Sequence, residues 1–504
     1  MDATFLSHLK HKIVMNAFRL SATHARVFHA ASLTLAALML AGCAVYNGEK
    51  LAEDRATADT TDTTDTDVRY AWVELGSASQ TIVRAVTKRD TCPVALIDSR
   101  RTQMNMRAPA GTAAQRTTAS SAVDSKPSLF PAAVCEIRIP AGVREVRLGS
   151  RILPLPKAAP QRVVILGDTG CRLKKADDAW QACNDADAWP LPEIAARAAA
   201  MNPDLVLHVG DYHYRENACP ADIAGCQASP WGYGWDAWEA DFFKPAAALL
   251  ASAPWVMVRG NHEECVRAGQ GWFRFLDTQI YDHKRSCDDP ANDKLANYSA
   301  PYAVALGSDT QVIVFDSSKA GRKILNESSE QFQIYQTQLR SVAQLAAKPG
   351  VGSIFVNHHP ILAFAPLAGS APAPGNQALQ SVMQSIAPSV YFPAGVTTAI
   401  HGHVHDFQAI SFKSGHPATL VSGNGGDNAD LNFADPFPAD ATPAPGAIVD
   451  SMLHTSTFGF MLMERQANGG WIYKAYDRHA SLMATCRQSG SKLTCDKSGY
   501  LNPS

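Results

Sequence analysis

Five short polar clusters, each behind an apolar run, carry side chains suited to holding metal ions: GDTG (167–170), GDYHY (210–214), GNHE (260–263), NHHP (357–360) and HGHVH (401–405). A sixth cluster, VFDSS (314–318), lies between the third and fourth. The five offer Asp, Tyr, Asn and His, the mixed oxygen and nitrogen donors that a two-metal hydrolytic centre needs. Taken singly, a Gly-Asp pair after a strand is a turn, in which Gly supplies an unusual backbone angle and Asp bonds its own backbone. As an ordered set they point to metal binding.

The elements that must position them are legible in the runs ahead of each cluster: VVIL (163–166), LVLHV (205–209), WVMV (255–258), QVIVF (311–315), SIFV (353–356) and TTAI (397–400). These read as buried strands. Amphipathic stretches at 191–202, 236–252, 329–347 and 377–388 read as helices between them. Ser328 or Ser329 is placed to cap the third, and Asn202-Pro203 ends the first. Strands alternating with helices imply an α/β layered sheet whose ligands gather beyond the carboxyl ends of the strands, where each cluster falls.

This order of motifs resembles that of the calcineurin-like metallophosphoesterases, and in particular their purple acid phosphatase branch. The first motif has Asp168-Thr169-Gly170, where most of the superfamily has His two positions after the Asp; the second places Tyr214 three residues after Asp211. The two departures belong together, because the branch uses a tyrosine phenolate on the first metal in place of the missing His. The resemblance spans residues 160–480 and implies a layered βαβ metallophosphoesterase sandwich. It assigns Asp168, Asp211, Tyr214 and His405 to the first metal, and Asp211, Asn261, His358 and His403 to the second, with Asp211 bridging. His358 is taken over His359 because the family's ligand stands two residues before the Pro, here Pro360. Two carboxylates and a phenolate suit trivalent iron at the first position; two His and an Asn carbonyl suit a divalent ion at the second, where iron, zinc and manganese stay open. The family's chemistry is attack on a phosphate ester by a metal-bound hydroxide. His262 would be the acid for the leaving alkoxide and Glu263 would hold its protonation state, with His359 and His213 as phosphate contacts.

Other residues receive structural readings. Asp316 is expected in a turn, the glycines of SGNGG (422–426) let a loop pass close to the site, and His208 is a hydrogen-bonded core residue. His283, His416, His454 and His479 stand outside any motif.

The amino terminus reads as an export signal. Lys10, Lys12, Arg19 and Arg26 precede an apolar stretch at 30–41, too short to span a bilayer, and Leu40-Ala41-Gly42-Cys43 resembles a bacterial lipobox. Cleavage would leave Cys43 as a lipidated first residue, and Ala44 fits outer-membrane sorting; Met15 as the start would give a signal of more usual length. The expected organisation is a signal peptide (1–42), a flexible tether (43–68) containing the acidic repeat TADTTDTTDTD, a small all-β, sandwich-like domain (69–157) and the catalytic domain (158–504). With Cys43 set aside, ten of the eleven cysteines remain. An even number in an exported chain implies disulfides, most simply between neighbours: 92–135, 171–183, 219–226, 265–287 and 486–495.

A net charge of −2 gives no basic footprint, so nucleic acid is not an expected partner. The expected function is hydrolysis of phosphate esters, monoesters foremost, by a lipid-anchored protein of the cell envelope. A phosphodiesterase or nucleotide-cleaving activity and a non-enzymatic binding lipoprotein are the alternatives. Substrate identity and oligomeric state are not encoded in any readable motif.

Overall fold

The computed structural model describes residues 67–434 and 436–497. The signal, Cys43 and the tether up to residue 66 lie outside the described residues.

Each apolar run is a strand, and the strands fall into two large sheets. The first has eleven strands and holds Arg162–Leu166, Leu205–His208 and Trp255–Met257 side by side and parallel. The second has seven and holds Thr310–Val314, Gly352–Val356, Val396–His401 and Ala418–Ser422, also parallel. Successive residues of a strand face opposite sides. Val163 and Ile165 therefore pack against Val312, Ile354 and Ile400 in a core shared by the two sheets, while Val164 and Leu166 turn outward to Leu191, Ile194 and Ala198. Both faces are covered, which is why the runs are continuously hydrophobic. On the far side of the second sheet, Phe332, Tyr335, Leu339 and Val342 of one helix and Leu379, Val382 and Met383 of another pack on Ile313, Phe355 and Ala399.

Helix Glu330–Ala346 is capped by Ser329, whose hydroxyl accepts the Phe332 N–H at 3.3 Å. Helix Leu191–Ala200 stops just before Asn202-Pro203. The stretch expected as one helix over 236–252 is instead broken: one turn at Trp235–Trp238, a π-turn at Glu239–Phe243 closed by Lys244 N–H to Glu239 C=O at 2.9 Å, and another turn at Ala247–Leu250. The wider turn brings Asp241 fully inward, where it serves the site.

The segment before residue 158 is all-β, as expected, but four of its strands extend the eleven-stranded sheet. Val68–Leu75 pairs in parallel with Trp255–Met257 through Glu74 and Trp255, followed by Thr81–Thr87, Ala133–Ile139 and Asn105–Ala108. Without it, Trp255–Met257 would expose an open edge. A buried charge cluster locks the arrangement: Arg84 meets Glu74 at 3.0 Å and Glu136 at 3.2 Å, Arg107 meets Glu136 at 2.7 Å, and both arginines donate to backbone carbonyls of residues 273–277. The five disulfides join neighbours in the expected pairs. They are the mark of an oxidising compartment. Among the described residues no helix is long and apolar enough to cross a membrane.

Candidate metal centre

All five clusters converge at the carboxyl ends of parallel strands, between the two sheets. The Tyr214 hydroxyl lies 3.0 Å from Asp168 Oδ1, 2.9 Å from Asp211 Oδ2 and 3.1 Å from His405 Nε2. Asp211 Oδ2 is also 3.1 Å from His358 Nε2, which in turn is 3.1 Å from Asn261 Oδ1. Ligating atoms of Asp211, His358 and His403 lie within 4.8 Å of one another. Donor atoms about 3 Å apart are what ions with bonds of about 2.0–2.2 Å require, so the residues fit two metal ions sharing Asp211.

The charges agree. Against the cost of burial, Asp211 and Asp168 hold the His358 imidazolium up at about 9, and Asp427 and Asp168 hold that of His405 at about 10. Against burial too, His358 and His262 keep Asp211 well below the usual carboxylate range. The fold thus concentrates carboxylates where positive charge must sit, and metal ions compete with these protons for the place.

Local backbone is bent at three of the candidate ligands. Asp168, Asp211 and His403 all have left-handed φ, at 56°, 59° and 71°, which non-glycine residues adopt at a cost of about 1–3 kcal/mol. Gly260 lies so close that a Cβ would meet Asp211 Oδ1 at 2.0 Å, and a Cβ at Gly423 would meet the Val404 carbonyl at 2.1 Å. The glycines of 422–426 therefore do let that loop graze the site.

The supporting contacts redistribute several sequence assignments. Glu263 does not touch His262: its carboxylate accepts the N–H groups of Asp211, Tyr212, His213 and Gly260 at 2.8–3.3 Å, tying the second motif to the third. The partner of His262 is Glu216, whose Oε1 lies 3.0 Å from Nδ1 and 2.9 Å from Arg267 Nη2, while Tyr233 donates to Oε2 at 3.1 Å. Burial, then Arg267, pushes the His262 imidazolium down to about 3, against Asp211 and Glu216. His213 is fully buried between Tyr233 and Trp238 and cannot touch substrate. His359 is not part of the cavity wall either; its Nδ1 meets Ser317 Oγ at 3.2 Å and its ring lies 4.3 Å from that of His403, so it braces His403. VFDSS acquires a purpose through this contact, and Asp316 makes the expected turn by accepting the N–H groups of Ser299 and Ser318. His208 is buried, with Nε2 3.0 Å from Thr169 Oγ1.

Three further residues escaped notice in the sequence. Asp241, from the π-turn, accepts the N–H groups of Cys171, Tyr214 and Arg215 at 2.7–3.1 Å and so joins the first two motifs. Arg172 lies over the Tyr214 ring at 4.9 Å and is held there by Asp427. Glu216 alone carried a signal, two residues after Tyr214. The others sit in stretches with no motif.

Ligands and cavity meet at a cleft of about 540 Å³. Residues 161–407 match the family model for calcineurin-like phosphoesterases. They form a calcineurin-like phosphoesterase domain. The protein is accordingly a metal-dependent phosphoesterase, and the match covers all five polar clusters. In fold, the chain is similar to a purple acid phosphatase, PPD1, from yellow lupin (Lupinus luteus), at 16% identity and a TM-score of 0.50 over 86% of this chain and 75% of that one. It is also similar to PhoD, at 11% identity and a TM-score of 0.52 over 87% and 92%. No curated protein sequence matches.

Proposed function

We propose that the protein is a phosphomonoesterase of the purple acid phosphatase type, with trivalent iron held by Asp168, Asp211, Tyr214 and His405 and a divalent iron, zinc or manganese held by Asp211, Asn261, His358 and His403. The observation that carries this reading is the position of the Tyr214 hydroxyl, within 2.9–3.1 Å of three other donors. When bound, the two ions supply charge to the phosphoryl oxygens and lower the pKa of the attacking water.

The chain's own residues do the rest. Glu216 faces His262 Nδ1, so that nitrogen carries the hydrogen and Nε2 is free to exchange a proton. Nε2 lies 3.9 Å from Asp211 Oδ2, beside the place where the ester must bind. A neutral His262 takes a proton from the arriving phosphate monoanion and returns it to the leaving oxygen. A diester carries no such proton at neutral pH, which favours monoesters. The basic n-region, the lipobox and five disulfides support export and a lipid anchor at Cys43, on a tether of residues 43–68.

The test is metal analysis of the purified protein coupled to hydrolysis of a monoester and a diester. Two ions per chain, one of them iron, with turnover of the monoester are expected. Asp211→Asn should lose metal and activity together. Faster cleavage of the diester would reassign the substrate, and a folded, metal-loaded and active Asp211→Asn protein would sink the site.

A further inference from the structure

Four Lys and Arg side chains line the catalytic cleft: Arg172, Lys174, Arg267 and Arg322. Three are already spent on carboxylates. Arg172 pairs with Asp427 and Asp177, Lys174 with Asp177 at 2.7 Å, and Arg267 with Glu216. Arg322 is exposed and, among the described residues, has neither an ion pair nor a hydrogen bond. Its loop is nonetheless fixed on both sides. Lys319 Nζ meets Glu264 at 2.6 Å, and the Gly321 carbonyl accepts Asn376 Nδ2 at 3.0 Å.

Asn376 ends the facing wall, which is a small apolar hairpin. Ala365 and Ala373 exchange N–H···O bonds of 3.0 and 2.8 Å, and the base is pinned by Gly375 N–H and Gln380 Nε2 on the Pro443 carbonyl. Into the cleft it presents Pro366, Leu367 and Pro374, none with a hydrogen-bonding side chain, with Phe364 buried behind them, and Leu367 is 52% exposed. Together these side chains give the cleft an apolar wall beside the candidate metal centre, the kind of lining that takes an apolar ligand body.

We propose that the substrate is a phosphate ester whose leaving group has a flat apolar body ending in a second anionic group, the body lying on the 363–376 hairpin and the anion meeting Arg322 at the cleft mouth. The proposal rests on the phosphoester-hydrolysis reading of the same cleft. It makes Arg322 a specificity residue that meets the leaving group.

The experiment compares phenyl phosphate with 4-carboxyphenyl phosphate on the metal-loaded, full-length protein and on Arg322→Gln. Loss of one charge-assisted contact should raise the KM for 4-carboxyphenyl phosphate about tenfold. The KM for phenyl phosphate should stay within about twofold, since that substrate has no group for Arg322 to meet. The electronic effect of the ring carboxylate on the leaving group is the same in both proteins and cancels in the comparison. Leu367→Asp should raise both KM values. Equal increases for the two substrates in Arg322→Gln would mean that Arg322 grips the transferred phosphoryl group, and no change for either would mean that it meets nothing; each overturns the proposal. Absence of turnover on both substrates by the wild-type, metal-loaded protein would remove the underlying reading and the proposal with it.

Discussion

His262 Nδ1 and Glu216 Oε1 lie 3.0 Å apart in a pocket that buries both side chains, and Arg267 and Tyr233 fix the carboxylate from the other side. Against the cost of burial, Arg267 and His262 hold the Glu216 carboxyl well below its ordinary range, so it stays ionised. The ring is therefore oriented by a permanent charge two residues beyond Tyr214, and not by its sequence neighbour Glu263.

Glu216→Gln should accordingly cost the step that protonates the leaving group. We expect kcat to fall by about 10–100-fold for an alkyl phosphate. The loss should be much smaller for p-nitrophenyl phosphate, whose leaving group needs little protonation. Glu216 raises the proton affinity of His262, so its removal should move the alkaline limb of the kcat profile to lower pH. An equal loss on both esters with an unmoved profile would reduce Glu216 to a structural role.

Glu263→Ala makes the contrasting case. Four backbone N–H groups lose their acceptor, and such buried donors cost about 1–3 kcal/mol each when unpaired, with partial relief from relaxation. Loss of on the order of 3–5 kcal/mol of stability is expected, and metal retention should fall because Asp211 and Gly260 are among the four residues released. Denaturant unfolding and metal content check this. A variant as stable as wild type, impaired only in turnover, would restore the link between Glu263 and His262.

The contrast between Glu216 and Glu263 shows what the sequence could and could not say. The candidate ligands could be proposed from the sequence because each sits in a short motif directly behind a strand, where the strand itself fixes its position. Roles that depend on side-chain direction were not. His213 sits beside the ligand Tyr214 in sequence, yet its ring points between Tyr233 and Trp238. Asp241 was hidden for a different reason, since an amphipathic pattern carries no mark of the π-turn that swings one polar residue inward. The placement of the all-β segment was equally invisible: strand patterning shows that Val68–Leu75 is a strand, but Trp255 as its neighbour is a long-range pairing that no local signal encodes.

That pairing leaves Glu74 fully buried, and burial pushes its carboxyl up to about 7, against Arg84 and Arg107. A raised folded-state value favours the protonated form. The contribution is therefore fully present below the unfolded value of 4.5 and is lost as pH rises through 7. Glu74→Gln mimics the protonated carboxyl at every pH. Thermal melts should find the two proteins alike near pH 4 and the variant more stable near pH 8, by on the order of 3 kcal/mol. A gap independent of pH would show that the fold leaves the Glu74 carboxyl at its unfolded value.

Tyr214 carries the most specific expectation. Burial, then Asp168 and Asp211, pushes the phenol well above its ordinary value, so it is a neutral donor to those carboxylates. A phenol cannot ligate trivalent iron without losing that proton, and Arg172, over the ring at 4.9 Å, eases the loss by facing the negative charge that results. Two readouts follow that do not depend on turnover. Loading the wild-type protein with ferric ion should give a visible charge-transfer band that Tyr214→Phe lacks. Titration calorimetry in buffers of different ionisation enthalpy should also find one more proton released on binding by wild type than by the variant. The rate is a poorer guide, because Asp168, Asp211, His405, Asn261, His358 and His403 would remain to hold two ions. A colourless, fully active protein with two divalent ions, and with equal proton release in both forms, would take Tyr214 out of the ligand set while leaving the phosphoesterase domain as it stands.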